Sequence, residues 1–138
     1  MGLVRKAANS VITVLLKTGA GPKSTYLLTT TGRRTGQPRT TPVTLVEDQT
    51  GRWLVAPYGA VSWVLNVRAT PVVELRHGQH RERLRAEEAD ASTAGPVLHR
   101  YMQAVAVTRP YFDARPNDPD TAFTNEADRH PVFRLTAD

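Results

Sequence analysis

The sequence predicts a mainly β protein with flanking helices, folded as a small antiparallel barrel. Three observations predict it. About six short runs are rich in Val, Leu, Thr and aromatic residues, the composition of strands. Turns of a few residues join most of them, which is hairpin spacing and not the spacing of crossover connections. A sheet this small leaves its edges unpaired unless it closes on itself. A chain of 138 residues is expected to form a single domain, residues 1–138, large enough for one hydrophobic core.

Residues 1–20 read as an N-terminal amphipathic helix. Leu3, Val4, Ala7, Val11, Val14 and Leu15 recur at helical spacing, and Gly19 and Gly21 end the run. Its apolar stripe is expected to pack on the barrel, on a second subunit, or loosely on a membrane surface. Residues 25–31 are the first strand. A second follows at 39–47, where Pro42 implies an edge position or a bulge because proline cannot donate to a ladder. Asp48-Gln49-Thr50-Gly51 is a turn into a third strand at 52–56, which Pro57-Tyr58-Gly59-Ala60 breaks. A short helix fits 61–69. Strands at 71–76 and 80–86 flank a tight His77-Gly78-Gln79 turn. Residues 92–107 place Val97, Leu98, Tyr101, Met102 and Val105 at helical spacing. The Pro-, Asp- and Asn-rich stretch 108–130 is predicted as a loop with one helical turn, and a last strand runs over 130–135.

Composition narrows the chemistry. There is no cysteine, so disulfides and thiolate metal sites are excluded. The four histidines, His77, His80, His99 and His130, lack the carboxylate spacing of a ligand set, and no metal site is expected. The longest apolar runs are too short to span a bilayer, and a cytoplasmic protein is expected. Neither a phosphate loop, a Rossmann fingerprint nor a nucleophile elbow is present. A formal net charge of +5 favours anionic partners. Nucleic acid is disfavoured, because aromatic residues are not interleaved with the basic clusters as stacking platforms.

The charge is concentrated where the first two strands meet. Thr29 to Pro42 holds three arginines, six threonines and two glycines, with no acidic residue. Guanidinium forks, hydroxyls and exposed backbone N–H groups are what hold a phosphate or carboxylate. Gly32 and Gly36 permit a sharp turn and a close approach of backbone to ligand. A second basic stretch, from Arg76 to Arg85, reads as a solvated hairpin face.

Thr29–Pro42 resembles the signature of the deazaflavin-dependent nitroreductase family. Trp63-Val64-Leu65-Asn66-Val67-Arg68-Ala69-Thr70-Pro71 is similar to that family's Trp-x-x-Asn-x-x-Ala-x-Pro element, and His130-Pro131-Val132-Phe133 to the close of one branch. The likeness covers residues 25–76 well and the tail loosely. It implies a split β-barrel of the pyridoxamine-phosphate-oxidase-like superfamily that binds coenzyme F420, a deazaflavin with a phosphate and an oligoglutamate tail. The activity it implies is an F420H2-dependent reductase acting on a quinone, a nitro compound or an activated alkene. The segment between Gly59 and Trp63 is shorter than in the best-known members, which leaves the substrate open.

The resemblance also implies roles. Arg34 and Arg39 are expected to contact phosphate, with Arg33, Thr35, Thr40 and Thr41 beside them. Pro42 and Ala56-Pro57-Tyr58-Gly59 are expected beside the ring, where apolar walls and backbone groups suit a flat tricycle. Ser62, Trp63 and Asn66 lie on the short helix; Trp63 and Asn66 share a face at i and i+3. Core packing of Trp63 and a bracing role for Asn66 are alternatives that coexist with ligand contact. Tyr111 is the candidate for the substrate face, lining the pocket or donating a proton. The rival readings are an FMN- or haem-binding barrel and a non-catalytic carrier or sensor of F420. The expected partners are a small-molecule substrate and, at most, a second copy of the chain: a monomer or a homodimer.

Overall fold

The structure is a computed structural model that describes residues 25–138. The helix expected over residues 1–20 lies outside the described residues. Six strands close a barrel in the order β1-β2-β3-β6-β5-β4, every neighbouring pair antiparallel. They are β1 (Thr25–Thr31), β2 (Pro38–Asp48), β3 (Gly51–Val55), β4 (Val72–His77), β5 (His80–Glu88) and β6 (Val132–Ala137). Helix α1 (Ser62–Ala69) follows β3, α2 (Ala91–Ala104) follows β5, and α3 (Asp120–Thr124) lies between α2 and β6. Among the described residues, no helix is long and apolar enough to cross a membrane.

Strand alternation sorts the side chains into two cores. Leu28, Val43, Leu45, Leu54, Leu75 and Phe133 fill the barrel together with Val64 and Val67 of α1. The opposite faces of β2, β3 and β6 give Val46, Trp53, Val55 and Val132 to an outer core, against Val97, Leu98 and Met102 of α2 and Phe123 of α3. β3 is therefore buried on both faces, which is why its Trp53-Leu54-Val55 run is apolar throughout. Asp90 starts α2 by accepting the Thr93 N–H at 2.9 Å, an N-cap that satisfies a free donor of the first turn.

The expectation for 108–130 is corrected. Two 3₁₀ turns (Ala106–Tyr111 and Ala127–Arg129) and α3 replace most of the loop. Burial of Phe112, Phe123 and Ala127 orders a segment whose composition alone reads as irregular. Helix α2 also stops at Ala104, short of the expected 107, and the chain tightens into the first 3₁₀ turn from Ala106. β6 starts at Val132, after Pro131, and not at His130. Pro42 does sit at an edge of a kind. β2 pairs with β1 from Pro38 to Thr44, but with β3 only from Leu45 to Asp48. The ladder at Pro42 is one-sided.

Candidate active site

That one-sided stretch is where the barrel opens. A cleft of about 700 Å³ lies between β2 and the segment that leaves β3. From β2 it is lined by Arg39, Thr40, Thr41, Pro42, Val43 and Thr44; across from them stand Val55, Ala56, Pro57 and Tyr58. Helix α1 and the residue before it add Val61, Ser62, Trp63 and Asn66. The C-terminal third supplies Tyr101, Val105 and Tyr111. Trp63 is half-buried: its ring packs on Phe133 with centroids 5.7 Å apart, so it belongs to the barrel core and to the cleft wall at once.

The basic tip is a closed turn. Gly32 N–H donates to Gln37 O at 2.8 Å, and Gly36 N–H to Gly32 O at 2.8 Å. Gly36 takes the left-handed conformation (φ 72°), and a Cβ on Gly32 would lie 2.9 Å from the Gln37 oxygen. Arg33 does not reach out from this turn. Its backbone N–H and its Nη1 both donate to Asn66 Oδ1, at 3.1 and 2.9 Å, and Nη1 also reaches Ser62 Oγ at 3.2 Å. Asn66 is buried and donates from Nδ2 to Thr30 Oγ1 at 3.1 Å. All three arginines of the tip are exposed, but only Arg33 is tied to α1. Among the described residues, the arginine–carboxylate pairs use Arg52, Arg68, Arg83, Arg100 and Arg129, and neither Arg34 nor Arg39.

Three tyrosines converge at the other side. Tyr58 and Tyr111 meet edge to face, with ring centroids 4.5 Å apart and planes at 72°. Both are about half exposed, and both line the cleft. Tyr101 is buried on α2; burial, and secondarily the nearby Tyr58 phenol, push its hydroxyl pKa up, so it stays protonated.

A buried polar network backs this wall. His130 Nδ1 lies 2.8 Å from Pro57 O, and its Nε2 lies 2.8 Å from Glu126 Oε1. The Glu126 carboxylate accepts the backbone N–H of Asp113 on both oxygens at 3.1 Å, and that of Ala114 at 2.8 Å. Phe112 stacks on the His130 ring, with centroids 4.2 Å apart.

Comparison with known proteins identifies the chain. The family model of the F420H(2)-dependent quinone reductases matches residues 5–124. The chain belongs to this family. It is an F420-dependent reductase. No curated protein matches the sequence. Among solved structures, the barrel is similar to an F420-H2 dependent reductase, FDR-A (24% identity over 83% of this chain and 95% of that one, TM-score 0.59). It is also similar to a domain-swapped dimer (23% identity, 98% of each chain, TM-score 0.60). A third likeness is to HutZ, the heme storage protein of Vibrio cholerae (13% identity, 84% of this chain and 82% of that one, TM-score 0.60). At these identities the likeness is one of fold.

The cleft fits the cofactor of its family. It pairs apolar walls (Pro42, Val55, Pro57, Trp63) with a cation at Arg39 and a row of threonine hydroxyls, the donor set for a flat ring with an anionic tail. Most of the residues singled out from the sequence converge on it: Arg39, Thr40, Thr41, Pro42, Ala56, Pro57, Tyr58, Ser62, Trp63, Asn66 and Tyr111. Arg33, Arg34, Thr35 and Gly59 do not line it. Thr35 shapes the tip by accepting the Gln37 N–H at 3.2 Å, and Gly59 (φ 96°) shapes the turn after Pro57. Sequence reasoning missed Thr25, Thr30, Thr44 and Tyr101 as lining residues, and the Glu126–His130 pair behind the wall. The pair carried no helical signal, because Glu126 and His130 flank the 3₁₀ turn Ala127–Arg129 and meet only once that turn is formed.

Proposed function

We propose that this cleft is the reaction site of an F420H2-dependent reductase whose acceptor is a quinone. The observation that carries the reading is the adjacency to an apolar cleft of arginines that, among the described residues, join no carboxylate. Arg39 lines it, and Arg34 stands on the same fastened turn. Bound F420H2 supplies a hydride. The protein binds and orients. Arg34 and Arg39 hold the anionic tail through charge-assisted hydrogen bonds. Pro42 and the Ala56–Tyr58 segment flank the ring as its walls. Tyr58, Tyr111 and Trp63 give a planar acceptor an aromatic surface. Tyr101 keeps its proton and adds no negative charge near an electron-rich site. Reduction of a quinone to a quinol by one hydride takes up one further proton. The half-exposed hydroxyl of Tyr111 and the solvent at the cleft mouth are within reach to supply it.

Fluorescence titration tests the reading. The double variant Arg34→Ala, Arg39→Ala is expected to weaken F420 binding by about a hundredfold, the loss of two charge-assisted hydrogen bonds at roughly 1.4 kcal/mol each. Turnover at saturating cofactor is expected to change far less. Unaltered affinity would remove the tail from the arginine rim.

A further inference from the structure

Two segments form the aromatic mouth of the cleft, and they come from distant parts of the chain. Tyr58 lies on the turn after β3, and Tyr111 ends the first 3₁₀ turn. Neither segment is held by a sheet ladder. Both are held from behind by the same two side chains. His130 takes the carbonyl of Pro57, the residue before Tyr58. Glu126 takes the N–H groups of Asp113 and Ala114, two and three residues after Tyr111. The two side chains then join each other at 2.8 Å, and Phe112 stacks on the imidazole. Glu126 and His130 are each at most 3% exposed, so this bridge is shielded from water.

We infer that Glu126 and His130 are positioning residues that set the spacing of Tyr58 and Tyr111, and through it the affinity for the electron acceptor. The inference rests on the reading of the cleft as the reaction site. Its hydrogen bookkeeping is closed. Pro57 O can only accept, so Nδ1 carries a proton. The hydrogen between Nε2 and Oε1 belongs to the pair. The second carboxylate oxygen is filled by backbone N–H groups. Arg129 is the other charged group nearby, its Nη2 lying 3.9 Å from Oε1 and 2.8 Å from Asp113, on the exposed side. No polar atom of the bridge is left to face the cleft, so Glu126 and His130 act through the backbone they hold.

The geometry separates two substitutions at one position. Gln in place of Glu126 keeps the shape: its oxygen accepts the backbone N–H groups and its NH2 donates to a His130 Nε2 that is unprotonated. Ala removes both links. With menadione as acceptor, Glu126→Ala is expected to raise KM about tenfold, the worth of one hydrogen bond's loss at the mouth. Its kcat and its F420 affinity are expected to stay within about twofold, a resolution well below that tenfold step. Glu126→Gln is expected to restore the KM of the unaltered protein. An unchanged KM in Glu126→Ala, or no restoration by Gln, overturns the inference.

NMR of the full chain without cofactor reads the same bridge independently of turnover. His130 is expected to carry a proton on Nδ1, and the Tyr58 and Tyr111 rings to show a mutual NOE. Should Glu126→Ala fail to fold, His130→Gln serves: it still reaches Glu126 but turns its carbonyl on Pro57, and the ring NOE is expected to disappear. A bare Nδ1, or a ring NOE that survives His130→Gln, overturns the inference. If the unaltered protein binds F420 yet reduces no quinone, the proposed acceptor falls, and the tautomer and the ring NOE still decide the bridge.

Discussion

Arg33 and Asn66 meet at a single oxygen: the backbone N–H and the guanidinium of the arginine both donate to Asn66 Oδ1, at 3.1 and 2.9 Å. Asn66 passes the link on to Thr30 in β1. The basic tip is thereby fastened to α1, and the arginine nearest the glycine turn is a fastener, while Arg34 and Arg39 join no carboxylate among the described residues. A rigid tip loses less conformational freedom when an anion arrives.

The fastening is measurable as stability. Asn66→Ala removes a buried amide and leaves the Thr30 hydroxyl without its donor. Denaturation in urea is expected to show a loss of about 1–3 kcal/mol, the cost of unsatisfied buried polar groups. A loss indistinguishable from zero would mean that Arg33 and Thr30 find water instead.

At the mouth, Tyr111→Ala and Tyr111→Phe are expected to diverge. The edge-to-face contact with Tyr58 involves rings, not hydroxyls. Phe preserves it, and Ala forfeits about 0.5–1.5 kcal/mol, roughly a twofold to twelvefold rise in KM for the acceptor. A large fall in kcat for Tyr111→Phe would instead assign the hydroxyl a proton-transfer role.

His99 ties α2 to the following segment. Its Nδ1 lies 2.7 Å from Asp120 and its Nε2 2.7 Å from Pro116 O, with the ring stacked on Phe123. Burial opposes its charged form, but the Pro116 carbonyl and the Asp120 carboxylate outweigh burial, and the pKa is raised above its ordinary 6.5. A raised value means that the folded state binds the proton more tightly. The stabilisation is full below the unfolded pKa and is lost as pH rises through the folded one. Urea midpoints are expected to fall as pH rises from about 6 to about 8, and His99→Gln is expected to flatten that slope. An unchanged slope would place the titration elsewhere.

At Gly95, α2 lies hard against α3. A Cβ there would collide with Thr124 Oγ1 and stand 3.1 Å from the backbone oxygen of Asp120. Thr124 can rotate away, but the carbonyl cannot. Gly95→Ala is expected to cost about 1–3 kcal/mol despite alanine's better helix propensity. Thermal denaturation that shows a gain would mean that the two helices separate freely.

The barrel was legible because alternation survives in the sequence: Val43 and Leu45 point inward and Val46 outward, as the strand period requires. Half the cleft was legible for a related reason. Arg39–Pro42 and Ala56–Tyr58 each occupy one short local run, so a motif can report them. Tyr101 was not, because its helical spacing with Leu98 and Met102 is the spacing of an ordinary core residue, and only the docking of α2 on the outer face of the barrel brings it to the cleft. Arg33 shows the converse. Its charge marked it for a ligand, and a partner 33 positions away claimed it. Contacts between distant segments are where one-dimensional patterns stop.

The exchange of partners along β2, from β1 up to Thr44 to β3 from Leu45 onward, makes this strand a single ruler for two halves of the molecule. Gaining or deleting one residue between Thr40 and Thr44 would invert the facing of every side chain beyond the change. Val43 would trade places with a threonine in the barrel interior, or the arginine turn would rotate away from the opening. Length in this stretch is therefore under a constraint of its own: an added residue must be absorbed in a bulge, or it carries every later side chain to the wrong face.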